Sequence, residues 1–203
     1  MDTKVLKVLL LLGSNSEDAL EVLAEARAAL ARRALDVGAA LARREPDSGA
    51  EPVAHAAEGA VAGGPITRTG GLWRTAAWGF EGPDFINQVV EIEWNGEPKA
   101  LLWECLEVER RLGRIRPTGG PRYTSRRIDI DLILTNPFMT FADAELELPH
   151  PRMHQRRFVL EPLAEFWSDW QANDFGHSVA DLLLVCSDPN SVHLYSNSNE
   201  NDS

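Results

Sequence analysis

Residues 109–134, ERRLGRIRPTGGPRYTSRRIDIDLIL, restrict this chain more than any other stretch. Ile128, Ile130, Leu132 and Leu134 alternate with Asp129, Asp131 and Ile133, the period of a strand with one apolar face. Both aspartates therefore point the same way, about 6–7 Å apart as residues i and i+2 of a strand. That is close enough for them to share one hard cation or to hold two. Ahead of the strand come seven arginines, Arg110, Arg111, Arg114, Arg116, Arg122, Arg126 and Arg127, around a loop marked by Gly119-Gly120-Pro121. The guanidinium fork matches phosphate oxygens two at a time, so arginines clustered on a loop suit a polyphosphate. A lone Asp-x-Asp pair is more often a solvated strand face; with these arginines alongside it points to phosphate chemistry.

The basic patch is local, because the whole chain carries a formal net charge of -11. Its pI of about 4.9 disfavours a general nucleic-acid binder, whose footprint would be a basic domain. With 203 residues and 44% hydrophobic content the chain can bury one good core, read here as a single domain over 1–186. Cys105 and Cys186 have neither metal-ligand spacing nor enough company for a disulfide framework, which fits a reducing compartment. The apolar run 8–12 is too short for a signal segment or a membrane span, so a cytoplasmic protein without a membrane partner is expected, with a monomer as the default.

In chain order, 5–12 reads as a buried strand that turns through Gly13-Ser14-Asn15 into a helix. Ser14 and Glu17 form a candidate capping box, and the helix runs through Arg33 with Leu20, Leu23, Ala24, Arg27 and Leu30 near helical spacing. Residues 45–65 hold six Ala, four Gly and three Pro but no aromatic, a composition that reads as a flexible insertion. Strands are expected at 72–75 and 86–94, joined by AAWGFEGPD. Trp78 and Phe80 in that connector, with Phe85 just beyond it, form either a lid over the core or a stacking site for a flat ligand. A second helix, 97–112, has Leu101, Leu102, Cys105 and Leu112 on its apolar side and Gly113 at its C-terminal cap. Helices are expected again at 158–166 and 179–186, and the polar segment 187–203 is expected to fray. The order strand, helix, strand, strand, helix, strand predicts an α+β fold. It is a ferredoxin-like βαββαβ core, mainly antiparallel, with helices packed on one face and C-terminal helices added.

A series of motifs in fixed order resembles the 6-hydroxymethyl-7,8-dihydropterin pyrophosphokinase family. It comprises Leu-Gly-Ser-Asn at 12–15, Trp73-Arg74-Thr75, Phe85-Ile86-Asn87, Leu112-Gly113-Arg114-Ile115-Arg116, Arg126-Arg127-Ile128-Asp129-Ile130-Asp131 and Leu148-Pro149-His150-Pro151-Arg152-Met153, ending in Arg156-Arg157-Phe158. The resemblance spans 5–167 apart from the insertion, and such a series is far more specific than any one piece. It implies transfer of the β,γ-diphosphate of ATP to the hydroxymethyl group of the pterin in folate biosynthesis, giving AMP and the pterin diphosphate.

The same resemblance implies two Mg²⁺ on Asp129 and Asp131, with Arg114 and Arg126 on the transferring diphosphate. Glu109, Arg116, His150 and Arg156 would line the ATP site, and Thr75, Phe85, Asn87, Tyr123 and Phe158 would hold the pterin. ATP and hydroxymethyl-dihydropterin would be its small-molecule partners. The chain departs from the family pattern at Ala76-Ala77, Tyr123, Thr124-Ser125, Glu145 and Glu147, and in two extra residues between Arg116 and Arg122. A non-enzymatic phosphate or RNA binding module is the alternative, but it has no use for two carboxylates aimed into the arginine site, where they would repel a phosphate backbone. A nucleotidyltransferase also pairs a Gly-Ser turn with Asp-x-Asp, but with the two close in sequence, unlike Ser14 and Asp129 here.

Overall fold

The computed structural model of the chain describes residues 5–42, 63–77, 81–114 and 126–196, the side chains of 33–42 and 63–64 excepted. Strand β1 (Leu6–Ser14) explains the arrangement of the rest, because Val8, Leu9, Leu10, Leu11 and Leu12 are all buried. A strand apolar at every position needs cover on both faces. On one face Val8, Leu10 and Leu12 meet Ala19, Val22, Leu23, Ala26 and Leu30 of helix α1 (Ala19–Ala42) and Leu101, Cys105 and Val108 of α2 (Pro98–Arg111). On the other, Leu9 and Leu11 meet Val159, Leu160, Leu163 and Trp167 of α3 (Arg157–Trp167), with Val179 and Leu182 of α4 (Val179–Leu184). The two helices of the βαββαβ core thus share one face, as expected, and the added C-terminal helices cover the other.

β1 lies between β4 (Phe85–Trp94) and β5 (Asp129–Asn136), antiparallel to both. β2 (Gly63–Thr69) and β3 (Trp73–Thr75) pair with successive parts of β4, and β8 (Val192–Leu194) closes the far edge against β3. With β2 and β3 taken as one interrupted strand, the order β5-β1-β4-β2/β3 is the ferredoxin-like α+β arrangement foreseen above. A separate hairpin of β6 (Phe141–Ala142) and β7 (Glu147–Leu148) is tied to α2 by Lys99, which reaches Asp143 at 2.8 Å and Glu145 at 2.6 Å.

Local details differ from the sequence reading, each for a physical reason. Ser14 does not cap α1, because its backbone stays in the ladder opposite Ile86 and its hydroxyl lies 2.9 Å from that of Ser16. α1 starts only at Ala19, outlasts the expected end at Arg33, and exposes Ala24. β2 overlaps the end of the expected insertion; an edge strand tolerates Pro65, and most of the insertion lies outside the described residues. The frayed tail is also corrected over 187–196. Asp188 accepts the Arg157 N–H at 2.9 Å, and β8 and Tyr195 N–H, which donates to Leu72 O at 2.7 Å, cover the β3 edge. Gly113 does end α2 as expected, at φ 86°. Among the described residues no helix is long and apolar enough to cross a membrane.

Candidate functional site

The site grows from two rows on one face of the sheet. Gly13 on β1 is registered with Asp129 on β5 and with Asn87 on β4, and Leu11 with Asp131. These residues face one cavity at the N-terminal end of β5, whose wall also includes Thr75, Phe85, Arg126, His150, Arg156 and Phe158. Nine residues assigned a role by resemblance, from five separate motifs, are thereby brought together. Leu11, Gly13, Ala76 and Arg152 share the wall and were given no role from sequence. Arg152 had a signal that went unused, since it belongs to the quoted run beside His150. Arg116 and Tyr123, like Arg122, Trp78 and Phe80, lie outside the described residues.

Each side chain is aimed by its local structure. Arg126 is clamped by Asn15, whose Oδ1 accepts the Arg126 N–H at 2.7 Å while Asn15 N–H donates to Arg126 O at 3.2 Å. Asn15 had been read only as part of a turn. Arg114 and Arg126 both donate to Asp129, one to each carboxylate oxygen. Glu109, expected to line the ATP site, is tied to the strand that carries the acids. It is only 2% exposed and accepts the Ile130 N–H at 2.8 Å and Arg114. It therefore braces the strand between the two aspartates and the arginine that faces them.

β5 carries a bulge: Leu10 pairs with Leu132 but Leu9 with Leu134, so Ile133 is an extra residue. Leu134 consequently joins Leu9 in the second core, against the expected continuation of the alternation. The Ile133 carbonyl accepts the His150 N–H at 2.8 Å, which pins the segment after Pro149 beside the aspartates. His150 Nδ1 accepts the Arg152 N–H at 3.2 Å, so a neutral ring carries its proton on Nε2. Burial, then Arg156 and Arg152, push its pKa down to about 4, and the ring is neutral near pH 7. Arg156 ends a short 3₁₀ turn and begins α3, and its guanidinium lies 5.4 Å from the ring centre of Phe158.

Asn87 is buried and donates to Thr75 Oγ1 at 2.9 Å, next to Phe85, so a buried amide adjoins an aromatic wall. At the other end burial first, and Asp129 second, raise the Asp131 carboxyl to about 7, with Arg156 opposing. Paired carboxylates that resist joint ionisation are the donor set a hard divalent cation stabilises. No cluster of three or more His, Cys, Asp or Glu ligands occurs among the described residues, so phosphate oxygens and water would complete the shell of any such ion.

Fold and site together define a class: a ferredoxin-like α+β domain with a paired-carboxylate, arginine-walled cleft that continues to Phe85, Asn87 and Phe158. The model of the 7,8-dihydro-6-hydroxymethylpterin-pyrophosphokinase (HPPK) family matches residues 49–168, and the chain belongs to that family. A 2-amino-4-hydroxy-6-hydroxymethyldihydropteridine pyrophosphokinase of Porphyromonas gingivalis is 41% identical over 95 residues, covering 46% of this chain and 65% of that protein. The Synechocystis enzyme of the same name is 36% identical over 123 residues, covering 61% of each chain. The Bacillus subtilis one is 37% identical over 101 residues, covering 49% of this chain and 58% of the relative. The matches thus span less than two thirds of these relatives. A Plasmodium falciparum HPPK-DHPS crystal structure shares the fold, with a TM-score of 0.58 at 13% identity over 90% of this chain and 44% of that one.

Proposed function

We propose that this chain transfers the β,γ-diphosphate of ATP to 6-hydroxymethyl-7,8-dihydropterin, with Mg²⁺, as a step of folate biosynthesis. The observation that carries this reading is the row Asp129, Gly13, Asn87, which with Asp131 on the next row brings two acids, arginines and an asparagine between phenylalanines to one cavity. Family membership and the pyrophosphokinase names of the relatives support it.

The hydroxymethyl oxygen forms a bond to the β-phosphorus as the bond from that phosphorus to the oxygen shared with the α-phosphate breaks. The bonding electron pair leaves on AMP, and the hydroxyl proton passes to solvent. Asp129 and Asp131 would hold Mg²⁺, two ions on the pair, and bound Mg²⁺ supplies charge neutralisation at the phosphates. Arg114 and Arg126 both donate to Asp129, which holds their guanidinium groups beside the acid pair, where the transferring diphosphate would lie. Such a transition state spreads charge over oxygens, and fixed guanidinium groups stabilise it without moving protons. Neutral His150 is a poor proton acceptor with a folded pKa near 4, and its Nε2–H donates to a phosphate oxygen. Arg156 and Arg116 complete the nucleotide side. Thr75 and Asn87 answer the polar edge of the pterin, and Phe85, Phe158 and Tyr123 supply aromatic surface.

The test is AMP formation from MgATP with and without the pterin. Pterin-dependent AMP supports the reading. MgATP binding with no AMP in either case would leave a non-enzymatic phosphate-binding module.

A further inference from the structure

Gly13 sits inside a central strand, where glycine is unfavourable because it contributes no side chain to packing. Its backbone does not call for glycine, since its φ lies outside the left-handed region that Gly113 and Gly176 occupy at +86° and +82°. What it supplies is space. A Cβ at position 13 would lie 2.8 Å from Asn87 Oδ1 and 3.8 Å from Phe85 Cδ1, and its three nearest neighbours all belong to those two residues. The Asn87 amide has little freedom to retreat, because its Nδ2 donates to Thr75 Oγ1 at 2.9 Å.

The register gives that space a place in the reaction. Asp129 and Asn87 flank Gly13 from opposite sides on one face of the sheet. With neighbouring strands about 4.8 Å apart, their backbones are separated by roughly 10 Å, and Gly13 is the residue between them. We infer that Gly13 is the floor of the reaction centre, over whose bare Cα the hydroxymethyl arm crosses from the ring held at Asn87 to the phosphorus held at Asp129. Any side chain there would displace the ring reader and fill the path of the arm. This assignment rests on the proposed function, and it makes Gly13 a specificity-determining position with no contact of its own.

Wild-type turnover comes first: if the wild type makes no pterin-dependent AMP, the functional reading fails and Gly13 is not at issue. With an active wild type, Gly13→Ala should raise the pterin Kd at least about 10-fold and lower kcat about 100-fold, while MgATP affinity stays within about twofold. A double-mutant cycle separates this from mere damage to the strand. Removing the Asn87 amide removes the clash, so Gly13→Ala/Asn87→Ala should bind the pterin as Asn87→Ala alone does. The methyl would still obstruct the arm, so the double mutant should turn over at least about 10-fold more slowly than Asn87→Ala. That second comparison stands even if Gly13→Ala alone does not fold. Wild-type-like turnover of Gly13→Ala, equal loss of MgATP and pterin binding, or a double mutant as fast as Asn87→Ala would each overturn the inference.

Discussion

Glu91 and Asp131 share one face of one sheet, on the two strands that flank β1, and the fold treats them in opposite ways. Glu91 is 5% exposed and accepts Lys7 Nζ at 3.0 Å, Thr67 Oγ1 at 2.6 Å and Trp167 Nε1 at 2.8 Å. Burial alone would raise its pKa, but those donors outweigh it and hold the carboxylate below its ordinary value. Asp131 goes the other way, to about 7, under burial and the neighbouring Asp129. One carboxylate has three donors built into the fold; the other faces a second carboxylate in a buried setting. A buried carboxylate is therefore no guide to function until its partners have been counted.

The largest expected effect breaks the site end of this comparison. Asp129→Asn or Asp131→Asn should lower kcat at least about 100-fold, the scale for losing a preorganised charge, in an AMP assay at saturating Mg²⁺. Near-wild-type turnover would remove the metal assignment.

Glu91→Ala breaks the other end. It leaves the buried Trp167 indole N–H without its acceptor and takes one of two from Thr67, a loss of about 2–4 kcal/mol that thermal unfolding would report. Turnover measured well below the Tm should stay near wild type; a matching fall in kcat would show that Glu91 serves the site too.

A smaller effect sharpens the contrast, because it has the opposite sign. The folded state holds the Asp131 proton between pH 3.8 and about 7 where the unfolded chain has lost it, so stability drains as the pH climbs through that window. Asp131→Asn should stabilise the unliganded protein at pH 8 by on the order of 2 kcal/mol in denaturant titrations. An Asp131→Asn protein no more stable than wild type there would show that the raised carboxyl costs the fold nothing.

The smallest effect lies on the acid side. Glu91 has a folded pKa below 4.5, so its contribution is complete above that pH and is lost as the pH falls through the folded value. Glu91→Gln should flatten that acid limb and leave the alkaline one unchanged; an acid limb as steep as wild type would assign it to other carboxylates.

Much of the site could be read in the chain because its parts are written locally. The alternation through Asp129 and Asp131 sets both on one face, and Gly113 ends α2 in the conformation that glycine favours. The run 8–12 is apolar at every position, and that alone asks for cover on two faces. Other features have no local signal. The bulge at Ile133 exists because Leu9 and Leu10 fix different registers on β5, and it is the bulged carbonyl that recruits His150. β2 is polar and contains Pro65, so its pairing depends on β4 offering an edge.

What the sequence determined by itself was residue type and period: a strand bearing two acids, arginines before it in the chain, aromatics near an asparagine. These follow from side-chain chemistry and from geometry repeating within a few residues. Tertiary structure alone decided that Glu109 would brace the strand that carries the acids, that Asn15 would hold Arg126, and that Gly13 would fall between Asp129 and Asn87. It also decided which buried carboxylate is satisfied, because Glu91 meets Lys7 and Trp167, 84 and 76 residues away in sequence. Partners that distant are chosen by the register of the sheet and the packing of a helix on it, and no local pattern encodes either.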